Sequence, residues 1–149
     1  MIIAPAATTD LPAIDTLTVR SITQTVDAPD AQKHAFLQHI RANLNTWSSQ
    51  TLGALHLKAC DSQGSLVGVV MVKDYWNLCH LFVDPDYQRS GVGRSLLEAA
   101  IVECRERSPR RYLRLNASRN ATGFYERMGF QLVPDAPAPY TGTQYQLDL

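Results

Sequence analysis

The stretch DPDYQRSGVGRSLLEAA, Asp84 to Ala100, constrains this chain more than any other. Pro85 stops the apolar run LFVD that precedes it, because proline brings no N–H to a sheet ladder. From Val92 onward Leu96, Leu97, Ala100, Ile101 and Cys104 fall on one helical face. Gly91 and Gly93 would weaken a helix interior, so they belong at the mouth of that helix. There the first N–H groups are unpaired and the positive end of the helix dipole points outward. A strand, a glycine loop and a helix start together make a cradle for an anion, most naturally a phosphate.

The rest of the chain supplies a sheet for that cradle to sit on. MIIA reads as a first strand, followed by a helix that Asp10 caps, with Pro12 in its first turn and Leu11, Ile14 and Leu17 as its apolar stripe. A second helix starts at the cap Asp30 and carries Phe36, Ile40, Leu44 and Trp47 on one face. The period then changes. ALHLKACD and LVGVVMVKDY form a hairpin around SQGS, and NLCHLFVD is the third strand in a row. After the glycine loop and its helix, which Ser108–Pro109 ends, come the strand RYLRLNA and the helix NATGFYERM, with Gly129 just past its end. FQLV and TQYQLDL close the chain as strands on either side of the proline-rich loop Pro134–Pro139. The order β-α-α-β-β-β-α-β-α-β-β predicts an α/β (α+β) fold, a mixed sheet of about six to seven strands flanked by about four helices. At 149 residues one domain spanning 1–149 is expected.

Three phosphate ligands compete for the loop. A P-loop needs Gly-Lys after its spacer, and no such pair occurs. A dinucleotide fingerprint needs a third glycine where Leu96 stands. The third reading covers more of the chain. LFVDPDYQRSGVGRSLL, through Gln88, Gly91 and Gly93, resembles the acetyl-CoA motif of the GNAT superfamily of N-acetyltransferases. About thirty residues later NASRNATGFYERMGF looks like that family's terminal motif, with Ala121, Phe124, Tyr125, Gly129 and Phe130 in register. The opening IIAPAATTDLPAID is similar to the family's first strand and helix. One position departs: many members carry Asn seven residues before the tyrosine, where this chain has Ser118, with Asn120 close by.

The resemblance implies acetyl-CoA as cofactor, with its pyrophosphate on the N–H groups and side chains of Arg89, Ser90, Gly91, Val92, Gly93, Arg94 and Ser95, next to Gln88. It implies a pantetheine arm paired as a pseudo-strand along Leu81, Phe82 and Val83, with Ser118 or Asn120, Phe124 and Tyr125 beside it. That pairing requires the strand to be splayed from its neighbour. Transfer to an amine also needs loss of the ammonium proton, whose pKa is about 10.4, a donor to the oxyanion, and a donor to the departing sulfur. A backbone N–H within Leu81–Val83 suits the oxyanion, and the phenol of Tyr125 suits the sulfur. Periodicity alone makes Tyr125 a core aromatic; its family position makes it catalytic. His80, next to LFVD, is the candidate base, against the alternative of a strand histidine on the wrong face. Cys79 reads as a small buried hydrophobe, which leaves direct attack in a ternary complex. Trp47, Tyr75, Trp76 and Tyr140 are candidates to wall the acceptor pocket or to be simple packing.

Composition narrows the partners. Lys plus Arg equals Asp plus Glu at 14 each, which argues against nucleic acid or an anionic membrane surface. The arginine bias from Arg105 to Arg127 reads as a solvated helix end and strand edge. Nothing approaches a membrane span, and MIIAPAATTD lacks the layout of a signal peptide. Cys60, Cys79 and Cys104 form no CxxC pair, so a reduced, cytoplasmic setting is expected. His34 and His39 diverge on their helix, His56 stands alone on its strand, and no metal site is expected. The expected partner is a small-molecule amine, with a protein or peptide amine, or a non-catalytic acyl-CoA sensor, as alternatives. The last strand, TQYQLDL, is the expected edge for pairing in a homodimer.

Overall fold

In the computed structural model, which describes residues 1–50, 53–134 and 142–149, seven strands form one sheet. They are β1 (Ile2–Pro5), β2 (Ala54–Cys60), β3 (Leu66–Lys73), β4 (Asn77–Val83), β5 (Tyr112–Ala117), β6 (Gln131–Leu132) and β7 (Thr143–Asp148). Four helices accompany them: α1 (Leu11–Thr25), α2 (Asp30–Ser49), α3 (Val92–Arg107) and α4 (Thr122–Arg127). β3 reads LVGVVMVK and is buried from Val67 to Val72, as a strand covered on both faces must be. It lies third in the order β1-β2-β3-β4-β5-β7-β6. Every neighbouring pair is antiparallel except β4 and β5, which run parallel.

Two cores sandwich the sheet. On one face Leu96, Leu97, Ala100 and Cys104 of α3 pack with Leu55, Val70, Leu113, Leu115 and Tyr125. On the other, Ile14, Leu17 and Ile22 of α1 and Ile40 and Leu44 of α2 close over Val69 and Phe82. The helices begin differently from expectation. Asp10 makes no side-chain cap to α1; its carboxylate accepts the Ala7 N–H at 2.8 Å and holds the Lys58 ammonium at 2.9 Å. Pro29, not Asp30, occupies the cap position of α2, and Asp30 is its first helical residue. Gly129, at φ 97°, does follow the end of α4. The expected edge strand is also displaced: β7 lies between β5 and β6, so its Gln146 and Tyr145 are already paired with Gln131 and Leu132. Among the described residues no helix is long and apolar enough to cross a membrane.

The register of β4 sets up everything that follows. Met71 opposes His80 and Val72 opposes Leu78, so Cys79 is an extra, unopposed residue. This bulge resets the alternation: Leu78 joins the α3-side core, while Phe82 joins the core under α1 and α2. Toward β5 the pairing is minimal. Asn77 opposes Arg114, the Arg114 N–H donates to the Trp76 carbonyl at 2.8 Å, and the two strands then part.

Gly68 seats α3 on this sheet. A Cβ there would stand 2.8 Å from Val92 Cγ1, 2.9 Å from Leu96 Cδ1 and 3.3 Å from the Phe82 carbonyl oxygen. Gly68→Val is expected to lose about 1–3 kcal/mol of stability by overpacking. The check is a urea titration in which the midpoint falls at unchanged slope.

Candidate active site

The loop after β4 is built by short-range hydrogen bonds. The Asp84 carboxylate accepts the Asp86 N–H at 2.9 Å and pairs with the Arg20 guanidinium of α1, which ties the strand end to that helix. The Ser90 hydroxyl donates to the Tyr87 carbonyl. Arg89 at φ 63° and Gly91 at φ 89° both take left-handed backbone, the second at a position where any other residue would be strained. Gly93 is less constrained: a Cβ there would lie in ordinary contact, 3.4 Å from Val83 Cγ2 and 3.8 Å from Phe124 Cζ. The N–H groups of Val92, Gly93 and Arg94 open α3 without intrahelical partners.

A cleft of about 1170 Å³ runs from this loop into the gap between β4 and β5. α4 and β5 form one wall, β4 the other, and the α1–α2 pair contributes Ser21, Thr25, Phe36, His39 and Asn43. Alternation decides which backbone groups face it. The Asp84 N–H donates to the Val67 carbonyl, so residues in phase with it, Phe82 and His80, turn their amides to β3. Leu81 and Val83 then turn theirs toward the gap, in agreement with the Ser21 hydroxyl donating to the Val83 carbonyl at 3.2 Å. Of the three residues expected along the pseudo-strand, Phe82 therefore contributes no backbone edge; its ring is packed 6.0 Å from that of Phe36.

Gln88, Arg89, Gly91, Gly93 and Arg94 line the loop end, while Ser90 and Ser95 fill the turn and first helical turn and Val92 is buried beneath them. Ser118, Asn120, Phe124 and Tyr125 line the opposite wall. The Ser118 hydroxyl donates to Asn120 Oδ1, and the Asn120 amide donates to the Thr25 carbonyl at 2.6 Å, bridging this wall to α1. Tyr125 is buried, yet its hydroxyl is not among the sealed polar atoms and has no hydrogen-bond partner among the described residues. Burial raises its phenol pKa, so the proton stays on at neutral pH.

The other expected residues scatter. The His80 ring is 3% exposed, stacks on Phe82 at 5.2 Å and meets His56 edge-on at 5.7 Å, with neither nitrogen hydrogen-bonded. His80 belongs to the lining of the cleft, but both its ring nitrogens are shut off from solvent, which favours the alternative of a strand histidine on the wrong face over a base. Trp47 is core rather than pocket wall, edge-on to His56 at 4.4 Å. Tyr75 packs on the α3 core and accepts from Arg107 at 3.1 Å, away from the cleft. Trp76 does line the cleft. Tyr140 lies outside the described residues. Cys79 points its thiol at the Asn77 carbonyl, 3.5 Å away, and burial raises its pKa, which suits the inert reading.

Sequence reasoning missed the charge of the cleft. Among the described residues its lining includes Lys33, Lys73, Arg89, Arg94, Arg114 and Arg127 and no Asp or Glu. His39 of α2, set aside earlier as half of a failed metal pair, is an exposed imidazole at the wall. The alternation of Tyr112, Arg114 and Asn116 against buried Leu113, Leu115 and Ala117 was a legible signal that Arg114 leaves the core. Which space it enters depends on the parting of two strands distant in sequence. Among the described residues no group of three or more His, Cys, Asp or Glu is arranged to hold a metal.

Comparison with known proteins gives concordant results. The family model described as acetyltransferase (GNAT) domain matches residues 23–144. The [ribosomal protein bS18]-alanine N-acetyltransferase of Salmonella typhimurium is 34% identical over 120 residues, 74% of this chain and 78% of that one. The solved GCN5-related N-acetyltransferase from Rhodopseudomonas palustris superposes with a TM-score of 0.84 at 23% identity, covering 99% of this chain and 95% of that one. An N-acetyltransferase of Thermoplasma acidophilum, solved in complex with coenzyme A, gives 0.81 at 19% identity over 99% and 98%.

The two buried imidazoles make stability depend on pH. Burial pushes the His56 pKa down to about 4, partly offset by the charge of Asp10, and holds His80 well below its ordinary value, with His56 adding repulsion. The unfolded chain binds these protons near pH 6.5 and the folded chain only lower, so stability is full above about 6.5 and is lost as the pH falls toward 4. His56 alone accounts for about 3 kcal/mol across that window. Urea midpoints at pH 7, 6 and 5 should fall in step, and His56→Leu with His80→Leu should flatten the slope; a flat wild-type profile would show the rings to be hydrated.

Proposed function

The chain belongs to the GNAT acetyltransferase family, and we propose that it transfers an acetyl group from acetyl-CoA to a primary amine by direct attack in a ternary complex. The observation that carries this reading is the parting of β4 from β5 beyond Asn77 and Arg114, with a glycine-built helix mouth at the open end. The pyrophosphate sits on the N–H groups from Arg89 to Ser95, with the Arg89 and Arg127 guanidinium groups near; Arg94 divides its charge with Glu98, 2.8 Å away. The pantetheine arm pairs with the free backbone edges of Leu81 and Val83. From Val83 to Cys79 the strand runs about 13 Å, which delivers the thioester near the closed end of the gap.

There the amine nitrogen attacks the thioester carbon, and a β4 N–H turned into the gap receives the oxyanion. The C–S bond then breaks, the nitrogen gives up its proton, and the sulfur leaves as coenzyme A. The Tyr125 hydroxyl supports that departure as a hydrogen-bond donor. Its pKa is raised above that of a thiol, so it stabilises the developing thiolate more than it surrenders its proton. With no carboxylate among the described lining residues and His80 sealed, the amine's proton leaves to water in the open cleft, where His39 is the exposed imidazole. The activity named for the Salmonella relative, on an alanine of a ribosomal protein, supports a polypeptide α-amine as acceptor beside the small amine expected from the sequence.

Free-thiol release from acetyl-CoA, run against amines from amino acids to peptides, tests the reaction directly. Tyr125→Phe should lower kcat about 100-fold while the acetyl-CoA-induced rise in Tm persists. Gly91→Glu should abolish that rise, because it places a strained residue and a negative charge where the pyrophosphate binds. Wild-type turnover by the Tyr125→Phe enzyme would remove Tyr125 from the mechanism.

A further inference from the structure

The positive charge at the closed end of the cleft has no use in holding the cofactor. Arg89, Arg94 and Arg127 surround the glycine loop, where a pyrophosphate accounts for them. Arg114 and Lys73 stand at the other end, where β4 and β5 meet. Arg114 is half-buried and forms no ion pair among the described residues. Its Nε and Nη2 both donate to Gln146 Oε1, at 3.1 and 2.6 Å, and its guanidinium lies 4.9 Å from the Tyr112 ring centroid. A neutral acceptor and an aromatic face thus fix the group in place and, among the described residues, leave Nη1 unused and the charge uncompensated. Lys73, at the end of β3, likewise has no anionic partner among the described residues. The neighbouring carboxylates do not line the cleft: Asp74 sits in the β3–β4 turn, and Asp148 accepts from the Gln146 amide at 2.9 Å.

A partly desolvated, oriented guanidinium without a counter-charge is costly unless a ligand supplies one. The acetyl group is neutral and the thioester is neutral. Only the acceptor can bring the anion. We infer that the acceptor of this enzyme is an amine that also carries a carboxylate close to the reacting nitrogen, held by Arg114 with Lys73 beside it. Polyamines and other multiply cationic amines are excluded by the same charges. The inference rests on the acetyl-transfer reading above and specifies its second substrate. Two sources share the chemistry, a free amino acid through its α-carboxylate and a peptide N-terminus followed by an acidic residue.

The test is thiol release by the full chain with matched acceptors. Alanine and glutamate are compared with alaninamide and putrescine, and the peptides Ala-Asp-amide and Ala-Glu-amide with Ala-Lys-amide. The carboxylate-bearing member of each working pair should have a kcat/KM about 10- to 100-fold higher, the effect of one charge-assisted hydrogen bond. Activity confined to free amino acids identifies the first source, and activity confined to acidic peptides the second. Arg114→Gln should raise KM for the carboxylate acceptor by a similar factor at unchanged KM for acetyl-CoA, Arg114→Lys should recover part of it, and Arg114→Glu should turn the preference toward Ala-Lys-amide. A wild-type enzyme that prefers alaninamide, putrescine or Ala-Lys-amide overturns the inference and leaves acetyl transfer standing. Release with none of these amines overturns both. Equal losses for all acceptors in Arg114→Gln, accompanied by a lower Tm, would make Arg114 a structural residue and end the proposal.

Discussion

A parallel pair of strands that separates after one opposed pair of residues is the constraint on which this molecule depends. Asn77 and Arg114 meet, and beyond them the facing backbone groups of β4 and β5 no longer pair with each other in the middle of a sheet, the Val83 carbonyl accepting from the Ser21 hydroxyl instead. Such groups are costly when dry and invite pairing when wet. On its far edge β5 is fully paired: all its residues, from Tyr112 to Ala117, are in register with β7. Gly142 presses against the end of β5 at φ 99°, where a Cβ would fall 1.8 Å from the Ala117 carbonyl oxygen. From the other side, Phe124 of α4 packs beside Gly93, where a Cβ would lie 3.8 Å from its Cζ. The edge that the fold withholds from its own strands is the edge that a pantetheine arm can use.

The two ends of this gap are built on different principles. At the open end, recognition is mostly backbone: left-handed residues at 89 and 91 and the unpaired amides of a helix start suit an anion of any identity. At the closed end the lining is of side chains, among them Arg114, which like its neighbour Arg110 outside the cleft lies against an aromatic face. Arg110 lies 3.7 Å from the Trp76 ring centroid and Arg114 4.9 Å from that of Tyr112, and the two rings meet edge-on at 6.0 Å. The first kind suits the phosphates of acetyl-CoA, and the second is where the proposal above puts the choice of acceptor.

Much of the frame was legible because it is written in local pattern. The order of the eleven strands and helices, the glycine loop, the end of α3 at Ser108 and the turn at Gly129 all follow from periodicity and backbone chemistry. What failed was whatever depends on tertiary neighbours. The cap expected at Asp10 was lost to Ala7 and Lys58, which compete for the same carboxylate. The two readings of His80 could not be separated because its side is set by the bulge at Cys79, a register shift that no single-strand pattern reveals. Trp47 lies on the predicted apolar stripe of α2 and went where that stripe goes, into the core over His56. The basic run after Arg105 was read as solvated, and for Arg105 and Arg119, both exposed, that holds; Arg114 differs only because the neighbouring strand turns away from it.

The sealed histidines and the cation pair answer the same chemical difficulty from opposite directions. An acceptor amine enters as an ammonium and must become neutral before it attacks. A buried neutral imidazole row beneath α2 does not collect its proton, since the nitrogens of His56 and His80 reach neither solvent nor partner. A cation beside an ammonium, however, favours the neutral form. Lys73 and Arg114 are the cations that line the cleft where β4 and β5 meet. On the acceptor proposed above, the carboxylate would take the Arg114 guanidinium and Lys73 would be the cation left beside the amine, so the proposed specificity and the loss of the ammonium proton would share one cause.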